Sequence, residues 1–510
     1  MHHTFASPAY TSPSFFLHSF QTIRKVLQGT HAKPNKNSLS RCLVVPFLGR
    51  LEKPALGAGS KSENVTEHIH HVLSVAGEAC IYEELGAITT PPVLVTDASR
   101  GHSMHAALTP FDIKTTLVAS LSHTDPTKIM TIYNETIHPW FGIFSQPTIG
   151  GQYPATWADA SVEFALICCS ILLLHRTPQQ LHGVNALHPT HKSMYLMAKT
   201  WITLLEGAEC NSIDFVKARL LITLFEVSHG FNIAAYLSIA NAVRAADALI
   251  AFDQGGVSES LAVQNIWDYR IMWWGIAILD RYIVTQNGKW PPVTRGRPVP
   301  PDSPMSNSLS LQERSSTTLS RLFESSILLE NVHTALHQPT SQVSFNIEEV
   351  TLIVRTLTSF ENVVLQAFPE KSKLFSSCLA LSSTALLLAF ENGSKATCSG
   401  ASISAISQAN AALDTLIDDI VERVAGLNEG NLVLKEPSIP LFVIFLVYKA
   451  AVITIRRLQS DIEPEANLLR LRVLRSALMA TMQRWLAGSE ILYLILLIIP
   501  NCVQNIYWNF

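Results

Sequence analysis

The sequence predicts an all-α fold, a large multi-helix bundle that follows an irregular N-terminal leader. Apolar residues recur at spacings of three and four through a long series of segments, which is the period of an amphipathic helix. Hydrophobic residues make up 48% of the 510 residues and charged residues only 15%, so the chain can bury a large core. No stretch shows the sustained alternation and hairpin turns that indicate β-strands.

The N-terminal part carries few helical signals. Residues 1–62 are rich in Pro, Ser, Gly and Lys without an apolar period, and this composition is typical of irregular structure. The first candidate helix covers residues 63–85. The organised body begins near Asp112 and includes residues 129–144, where Tyr133 precedes a His-Pro pair and two adjacent aromatic residues.

Two helices in the body begin at residues suited to an N-cap. A serine or aspartate side chain accepts a backbone N–H bond at that position. The predicted helices and their capping candidates are 161–174 with Asp159 or Ser161, and 212–227 with Ser212 or Asp214. A third helix, 192–205, ends near Gly207, and Gly230 ends the helix 212–227.

A helical hairpin is predicted at the centre of the body. Helix 212–227 is the clearest amphipathic segment, and helix 231–252 follows it directly, so the two should pack antiparallel. The second helix carries a stripe rich in alanine, which permits a close approach. The predicted stripe consists of Ala234, Leu237, Ala240, Ala245 and Leu249.

The next helix carries the most distinctive residues of the chain. Trp273 and Trp274 are adjacent and cannot share one helix face, so each should pack on a different neighbour. Arg270 lies one turn before them. Asp280 and Arg281 follow, and Asp280 is expected to pair locally or to cap an adjoining helix end.

Further helices are predicted after the hairpin of helices 212–227 and 231–252. A proline-rich loop at residues 287–310 interrupts them. The predicted segments are 264–286, which holds the tryptophan pair, and then 309–336, 347–368, 374–390, 403–424, 439–458 and 465–486.

Three blocks in order resemble one known family. Residues 133–144 resemble its entry segment, and residues 216–249 resemble its central helical hairpin. Residues 269–281, together with the proline-rich turn at 296–301, are similar to its helix-then-turn signature. On these blocks the chain resembles the fungal-specific transcription factor domain, the helical regulatory region of fungal binuclear-zinc-cluster activators, over residues 112–302.

The resemblance implies a nuclear regulator of transcription, expected to control a specific pathway such as a secondary-metabolite gene cluster. Its activity would be set by a small-molecule effector or by a partner, which includes a second copy or another transcription factor. Arg270, Trp273, Trp274, Asp280 and Arg281 would be a structural signature and not catalytic residues. The implied organisation is a leader at 1–62, the regulatory domain at 63–302 with its core block at 112–302, a Pro/Ser-rich linker at 303–320, a C-terminal helical part at 321–490 packed on that domain, and an apolar tail at 491–510.

The sequence departs from the family in its cysteines. Family members bind two zinc ions through paired Cys-x-x-Cys motifs, but the first 150 residues contain only Cys42 and Cys80, and no such motif occurs in the chain. No cofactor is therefore expected here. Promoter DNA would be contacted indirectly, through a dimer partner or through an N-terminal module missing from this sequence. No apolar run reaches the roughly 20 residues that span a bilayer, so no membrane partner is expected.

Two other functions remain open. Asp418, Asp419 and Glu422 resemble the aspartate-rich magnesium site of helical terpene synthases, since carboxylates one turn apart can bind diphosphate-bound magnesium. An exposed helix face is the simpler interpretation of these carboxylates. The third hypothesis is a helical scaffold or co-repressor that does not bind DNA.

Overall fold

The computed structural model describes residues 109–487 except for gaps at 122, 145–152, 182–183, 253–258, 289, 298–312, 339–342, 368–375, 396–402, 430–438 and 461. All of the described residues belong to one compact unit, residues 107–510. The predicted leader 1–62, the candidate helix 63–85 and the tail 491–510 lie outside the described residues. The same holds for residues 303–312 of the predicted linker.

The described part of the chain is helical apart from its loops and one short antiparallel ribbon, which confirms the all-α class. The ribbon pairs β1 (Gln179–Leu181) with β2 (Val184–Ala186). The helices are α1 (Pro110–Leu121), α2 (Pro126–Thr136), α3 (Val162–His175), α4 (Pro189–Gly207), α5 (Ile213–Ser228), α6 (Asn232–Phe252), α7 (Glu259–Asn287), α8 (Glu313–His337), α9 (Val343–Ala367), α10 (Ser377–Lys395), α11 (Ile403–Glu429), α12 (Phe442–Gln459) and α13 (Pro464–Met482).

The predicted start and stop signals act where the sequence places them. The Ser161 hydroxyl accepts the N–H of Phe164 at 3.0 Å at the start of α3. The Ser212 hydroxyl accepts the N–H of Phe215 at 3.1 Å at the start of α5, so in both helices the serine caps and not the aspartate. Gly230 follows α5 with a φ of 80°, a left-handed conformation that glycine adopts without steric cost.

Helix α5 is buried on all sides, and its predicted amphipathic character is wrong. Every residue from Phe215 to Ser228 is buried. The cause is its position, because α3, α6 and α7 all pack against it. None of the described helices combines the length and the apolarity that crossing a membrane requires.

The α5–α6 hairpin forms as predicted. Of the predicted stripe on α6, Ala245 and Leu249 are partly buried against the core, but the fully buried face lies one register away. Leu237, assigned to the stripe, is 58% exposed. Alanines occur on two adjacent faces of the helix, so the helical spacing alone does not indicate which face is buried. The buried face consists of Ala235, Ser238, Ile239, Ala242, Val243 and Ala246.

The C-terminal helices share one hydrophobic core with the N-terminal ones. Helix α8 packs on α7 and α10, α10 also contacts α11 and α12, and α13 packs on α11 and α12. Two long-range hydrogen bonds join the groups. The Tyr282 hydroxyl donates to the carbonyl of Leu441 at 3.2 Å, and the Ser377 hydroxyl donates to the carbonyl of Trp140 at 3.1 Å.

Three segments that are distant in sequence meet at Gly275 on α7. A Cβ atom placed on this glycine would lie 2.9 Å from Cγ2 of Ile143, 3.2 Å from Cδ1 of Leu220 and 3.6 Å from Cζ of Phe141. The missing side chain therefore permits α7 to approach both α5 and the loop after α2. Tyr133 holds that loop in place, because its hydroxyl donates to the Phe141 carbonyl and accepts the Ile143 N–H, each at 3.0 Å.

Candidate functional site

Three of the charged side chains of helix α5 are buried, each at most 4% exposed: Lys217, Arg219 and Glu226. A buried charge costs several kcal/mol unless a partner compensates it, so each of these residues should have an ion-pair or hydrogen-bond partner. Lys217 pairs with Asp268 on α7 at 3.4 Å and lies 5.1 Å from the centre of the Phe144 ring. These two contacts join α5 to α7 and to the loop after α2.

Arg219 and Glu226 both connect α5 to α4. Arg219 forms an ion pair with Glu206 and lies over the ring of Phe215, 4.6 Å from its centre. Glu226 is fully buried and accepts a 2.8 Å hydrogen bond from the hydroxyl of Tyr195. Lys199, one turn further along α4, lies 2.9 Å from the same carboxylate oxygen, Oε1.

Lys199 extends this polar group to α6, where its ammonium donates to the hydroxyl of Ser238 at 2.6 Å. The second carboxylate oxygen of Glu226, Oε2, is buried and has no hydrogen-bond partner among the described residues. Burial raises the pKa of Tyr195 well above its ordinary value, and the negative charge of Glu226 adds to the shift. Tyr195 is therefore a stable hydrogen-bond donor and does not act as a base.

His229 lies beside this group, directly after α5. Its Nδ1 atom is 3.0 Å from the carbonyl of Phe225, which can only accept, so Nδ1 carries the proton. The other ring nitrogen, Nε2, is then an acceptor, and it is buried without a partner among the residues the structure describes. Burial lowers the pKa of His229 to about 3, so the ring is neutral at pH 7.

Aromatic rings surround these polar atoms. Tyr195 stacks on Phe225 and Phe231, with ring centres 5.3 and 5.5 Å apart, and Phe225 stacks on His229 at 4.2 Å. Trp485 contacts His229 edge-on at 6.3 Å. We call Tyr195, Lys199, Glu226, His229 and Ser238 the Glu226 cluster.

Arg484 is a buried cation whose charge helps to keep the pKa of His229 low, after the effect of burial. It lies over the Trp485 ring at 4.9 Å and donates to the carbonyl of His175 at 3.3 Å. Its Nε and Nη2 atoms are buried without hydrogen-bond partners in the described part of the chain, and burial lowers the pKa of Arg484 to about 10. Glu226, His229 and Arg484 thus bring buried acceptors and donors without protein partners into one region of the described chain.

The cluster is poorly suited to nucleophilic catalysis. Ser228 lies 2.7 Å from Nδ1 of His229, which is the distance of a serine–histidine pair. However, Nδ1 already carries a proton towards Phe225, so it cannot take one from the serine. The Ser228 hydroxyl also donates to the Phe225 carbonyl at 2.8 Å. The structure therefore does not activate Ser228 as a nucleophile.

The predicted tryptophan pair lies outside the Glu226 cluster and contributes to packing. Trp273 stacks on Tyr269 with ring centres 6.3 Å apart, whereas Trp274 stacks on Phe323 of α8 at 5.5 Å. The two indoles thus have different neighbours, as the sequence predicts. Arg270 is 6% exposed and lies 5.7 Å from the ring centre of Trp267.

The other two signature residues hold neighbouring segments in place. Asp280 is fully buried and accepts both the N–H and the hydroxyl of Thr294 at 2.7 Å, so it fixes the turn that follows α7. Arg281 reaches α8, where Nε donates to Glu330 at 2.6 Å and Nη1 donates to the hydroxyl of Ser326 at 2.9 Å. These contacts give both residues a bracing role.

The aspartate-rich segment lies where α11 meets α13. Asp418 receives two hydrogen bonds from Arg470, at 2.6 and 2.7 Å, and Asp419 pairs with Arg423 at 2.8 Å. Arginines thus occupy the carboxylate oxygens that a magnesium ion would need. Within the described ranges, no group of three or more His, Cys, Asp or Glu side chains has a metal-binding arrangement.

Comparison with known proteins gives no match for this chain. No family model, no curated protein sequence and no solved structure resembles it at a significant level.

Proposed function

We propose that this protein is a fungal transcriptional regulator that acts in the nucleus through a helical regulatory domain. The observation that supports this function is the meeting of segments at Gly275. Phe141 and Ile143 come from the first block of the family resemblance, Leu220 from the second and Gly275 from the third. Blocks that are far apart in sequence and share one contact point are expected if they are parts of one domain.

Control by a ligand or partner is the mechanism that we propose. The unpaired Oε2 of Glu226 and Nε2 of His229 each cost roughly 1–3 kcal/mol of lost hydrogen bonding. An effector with hydrogen-bond donors and an apolar ring could satisfy both atoms among the surrounding aromatic side chains. It would stabilise the conformation in which α4 and α5 hold the cluster together, and so shift the balance between silent and active states.

Contact with promoter DNA is proposed to be indirect. Members of the family bind DNA through a zinc cluster. A homo- or heterodimer partner or a further module would supply that cluster here. The expected targets are the genes of one pathway, for example those of a secondary-metabolite gene cluster.

The full chain, fused to a heterologous DNA-binding domain in a fungal reporter strain, tests the proposal. We expect reporter output above that of the DNA-binding domain alone, and promoter occupancy of the tagged natural chain by chromatin immunoprecipitation. Nuclear protein without reporter output or promoter occupancy would instead support the scaffold or co-repressor function.

A pair of tyrosine variants tests the role of the Glu226 cluster in that output. Tyr195→Phe removes the hydroxyl that contacts Glu226, and Tyr282→Phe removes another buried hydroxyl, which bonds to Leu441. At equal protein level, Tyr195→Phe should change reporter output and Tyr282→Phe should not. Equal effects of the two variants would count against effector control through this cluster.

The enzyme hypothesis needs its own assay with the purified full chain, magnesium and prenyl diphosphates. Turnover that disappears when Asp418→Ala and Asp419→Ala are combined would overturn the regulatory proposal. We expect no turnover, because Arg470 and Arg423 pair with these carboxylates.

A further inference from the structure

A second buried carboxylate, Glu391, lies in the last turn of α10 and is surrounded by three cations. Its side chain is 8% exposed. Lys395 lies 2.5 Å from Oε1, Lys449 lies 2.9 Å from Oε2, and Arg456 also pairs with Oε1. We call these four residues the Glu391 cluster.

The charges of the Glu391 cluster do not cancel. Three cations face one carboxylate, and the three positive charges hold the pKa of Glu391 at about 2 against the effect of its burial. The end of α10 adds about half a negative charge through the helix dipole, which still leaves an excess of positive charge. Within the part of the chain that the structure describes, Glu391 is the only ion-pair partner of each cation.

The cations are also partly removed from water. The side chain of Lys449 is 12% exposed, that of Arg456 is 24% exposed and that of Lys395 is 40% exposed. Lys449 and Arg456 are seven residues apart on α12, so both lie on one face of that helix. A partly buried excess of positive charge, carried by ammonium and guanidinium N–H donors, is the arrangement that binds a compact anion.

Two histidines lie at the C-terminal end of α8, and the lowered pKa of each leaves its ring neutral at pH 7. His333 and His337 stack there with ring centres 4.3 Å apart. The charges of Arg295 and Lys449 add to the burial that lowers the pKa of His337. His333 is 7% exposed, and its Nε2 atom has no hydrogen-bond partner among the described residues.

We propose that Lys395, Lys449 and Arg456 form a binding site for a small dianion of the phosphate or phosphate-monoester class. Glu391 holds the three cations together, and the ligand supplies the two negative charges that the cluster lacks. This site lies on α10 and α12, away from the Glu226 cluster on α4 and α5, and it does not depend on the proposed role in transcription.

Calorimetric titration of the full chain with inorganic phosphate and with phenyl phosphate tests the site. We expect saturable binding with one site per chain. Lys449→Met and Arg456→Met should each weaken binding at least about tenfold, because each removes a charge that contacts the dianion. The matched controls Lys128→Met and Arg472→Met remove exposed cations elsewhere and should change affinity less than twofold.

Glu391→Gln separates ligand binding from a purely structural role. Loss of the carboxylate raises the positive charge of the site, so the variant should bind phosphate more tightly than the natural chain if it folds. Far-UV circular dichroism of every variant checks the fold. Absence of saturable phosphate binding by the natural chain, or equal affinity in Lys449→Met, would overturn the proposal. Duplex DNA that binds at the same cations without competition from phosphate would overturn it as well.

Discussion

The Tyr195 hydroxyl of α4 and the Glu226 carboxylate of α5 are joined by a 2.8 Å hydrogen bond in the interior of the protein. Because Glu226 is completely buried, the hydroxyl of Tyr195 and the ammonium of Lys199 take the place of water around its carboxylate. The contact between α4 and α5 therefore depends on a particular hydrogen bond and ion pair as well as on apolar packing. A change in either partner should therefore affect both stability and the response to a ligand.

Glu226→Gln should lower the free energy of unfolding by about 2–3 kcal/mol. Removing one partner of a buried ion pair costs about 3–5 kcal/mol, and the expected value is smaller because the Lys199 side chain is 34% exposed and stays partly hydrated. Urea unfolding followed by tryptophan fluorescence measures the change. Glu135→Gln is the matched control at an exposed position of α2, with an expected change within about 0.5 kcal/mol. A loss below 1 kcal/mol in Glu226→Gln would mean that the pair contributes little.

Gly275→Ala should destabilise the protein by about 1–2 kcal/mol, even though alanine is the better helix former. The new methyl group would lie 2.9 Å from Ile143 and 3.2 Å from Leu220, and overpacking of this kind costs about 1–3 kcal/mol. Gly207→Ala is the matched control at the exposed end of α4. Its methyl group would meet nothing within 4 Å, so we expect a gain of about 0.4–1 kcal/mol. Thermal unfolding of both variants gives the signs, and a gain in both would contradict the close approach at Gly275.

The sequence predicted the helices well because their signals are local. Ser161 and Ser212 accept bonds from residues three positions away, and Gly230 ends α5 through its own backbone conformation. A pattern within one short segment contains all the information that such an end requires.

The Glu226 cluster could not be predicted in the same way, since its partners come from three helices. Tyr195 is 31 residues before Glu226, and Lys199 is 39 residues before Ser238. The available signal was compositional: Lys217, Arg219 and Glu226 interrupt a helix that is apolar at most other positions. Charged residues without a continuous polar face indicate buried pairing, but the pairing itself depends on how the helices pack.

Arg281→Lys should lower the free energy of unfolding by about 2 kcal/mol. The guanidinium donates through two nitrogens, to Glu330 and to Ser326, and it also lies over the Phe323 ring at 5.2 Å. A lysine keeps the charge but cannot make both bonds and the ring contact. Urea unfolding measures the loss, and Arg472→Lys at an exposed position of α13 is the control. Equal stability of the natural chain and Arg281→Lys would show that the bridge between α7 and α8 is dispensable.

Acid should destabilise the protein from about pH 6.5 downward, with His229 contributing to the loss. Its folded-state pKa of about 3 lies below the ordinary value of 6.5, so between these values the unfolded chain binds a proton that the folded chain does not. Stability is thus complete above pH 6.5 and falls by roughly 1.4 kcal/mol per pH unit for this group as the pH decreases towards 3. Burial lowers the pKa of His333 to about 3 and that of His138 below its ordinary value, which adds to the same trend.

Unfolding free energies measured in urea between pH 7 and pH 5 isolate the contribution of His229. The slope against pH below 6.5 should be smaller in His229→Gln than in the natural chain, by roughly 1.4 kcal/mol per pH unit. The absolute stability of this variant also changes through lost stacking on Phe225, but that loss does not vary with pH. His123→Gln, at an exposed position, should keep the natural slope. Parallel slopes for His229→Gln and the natural chain would show that this ring takes up a proton equally in both states, which would contradict a neutral buried His229.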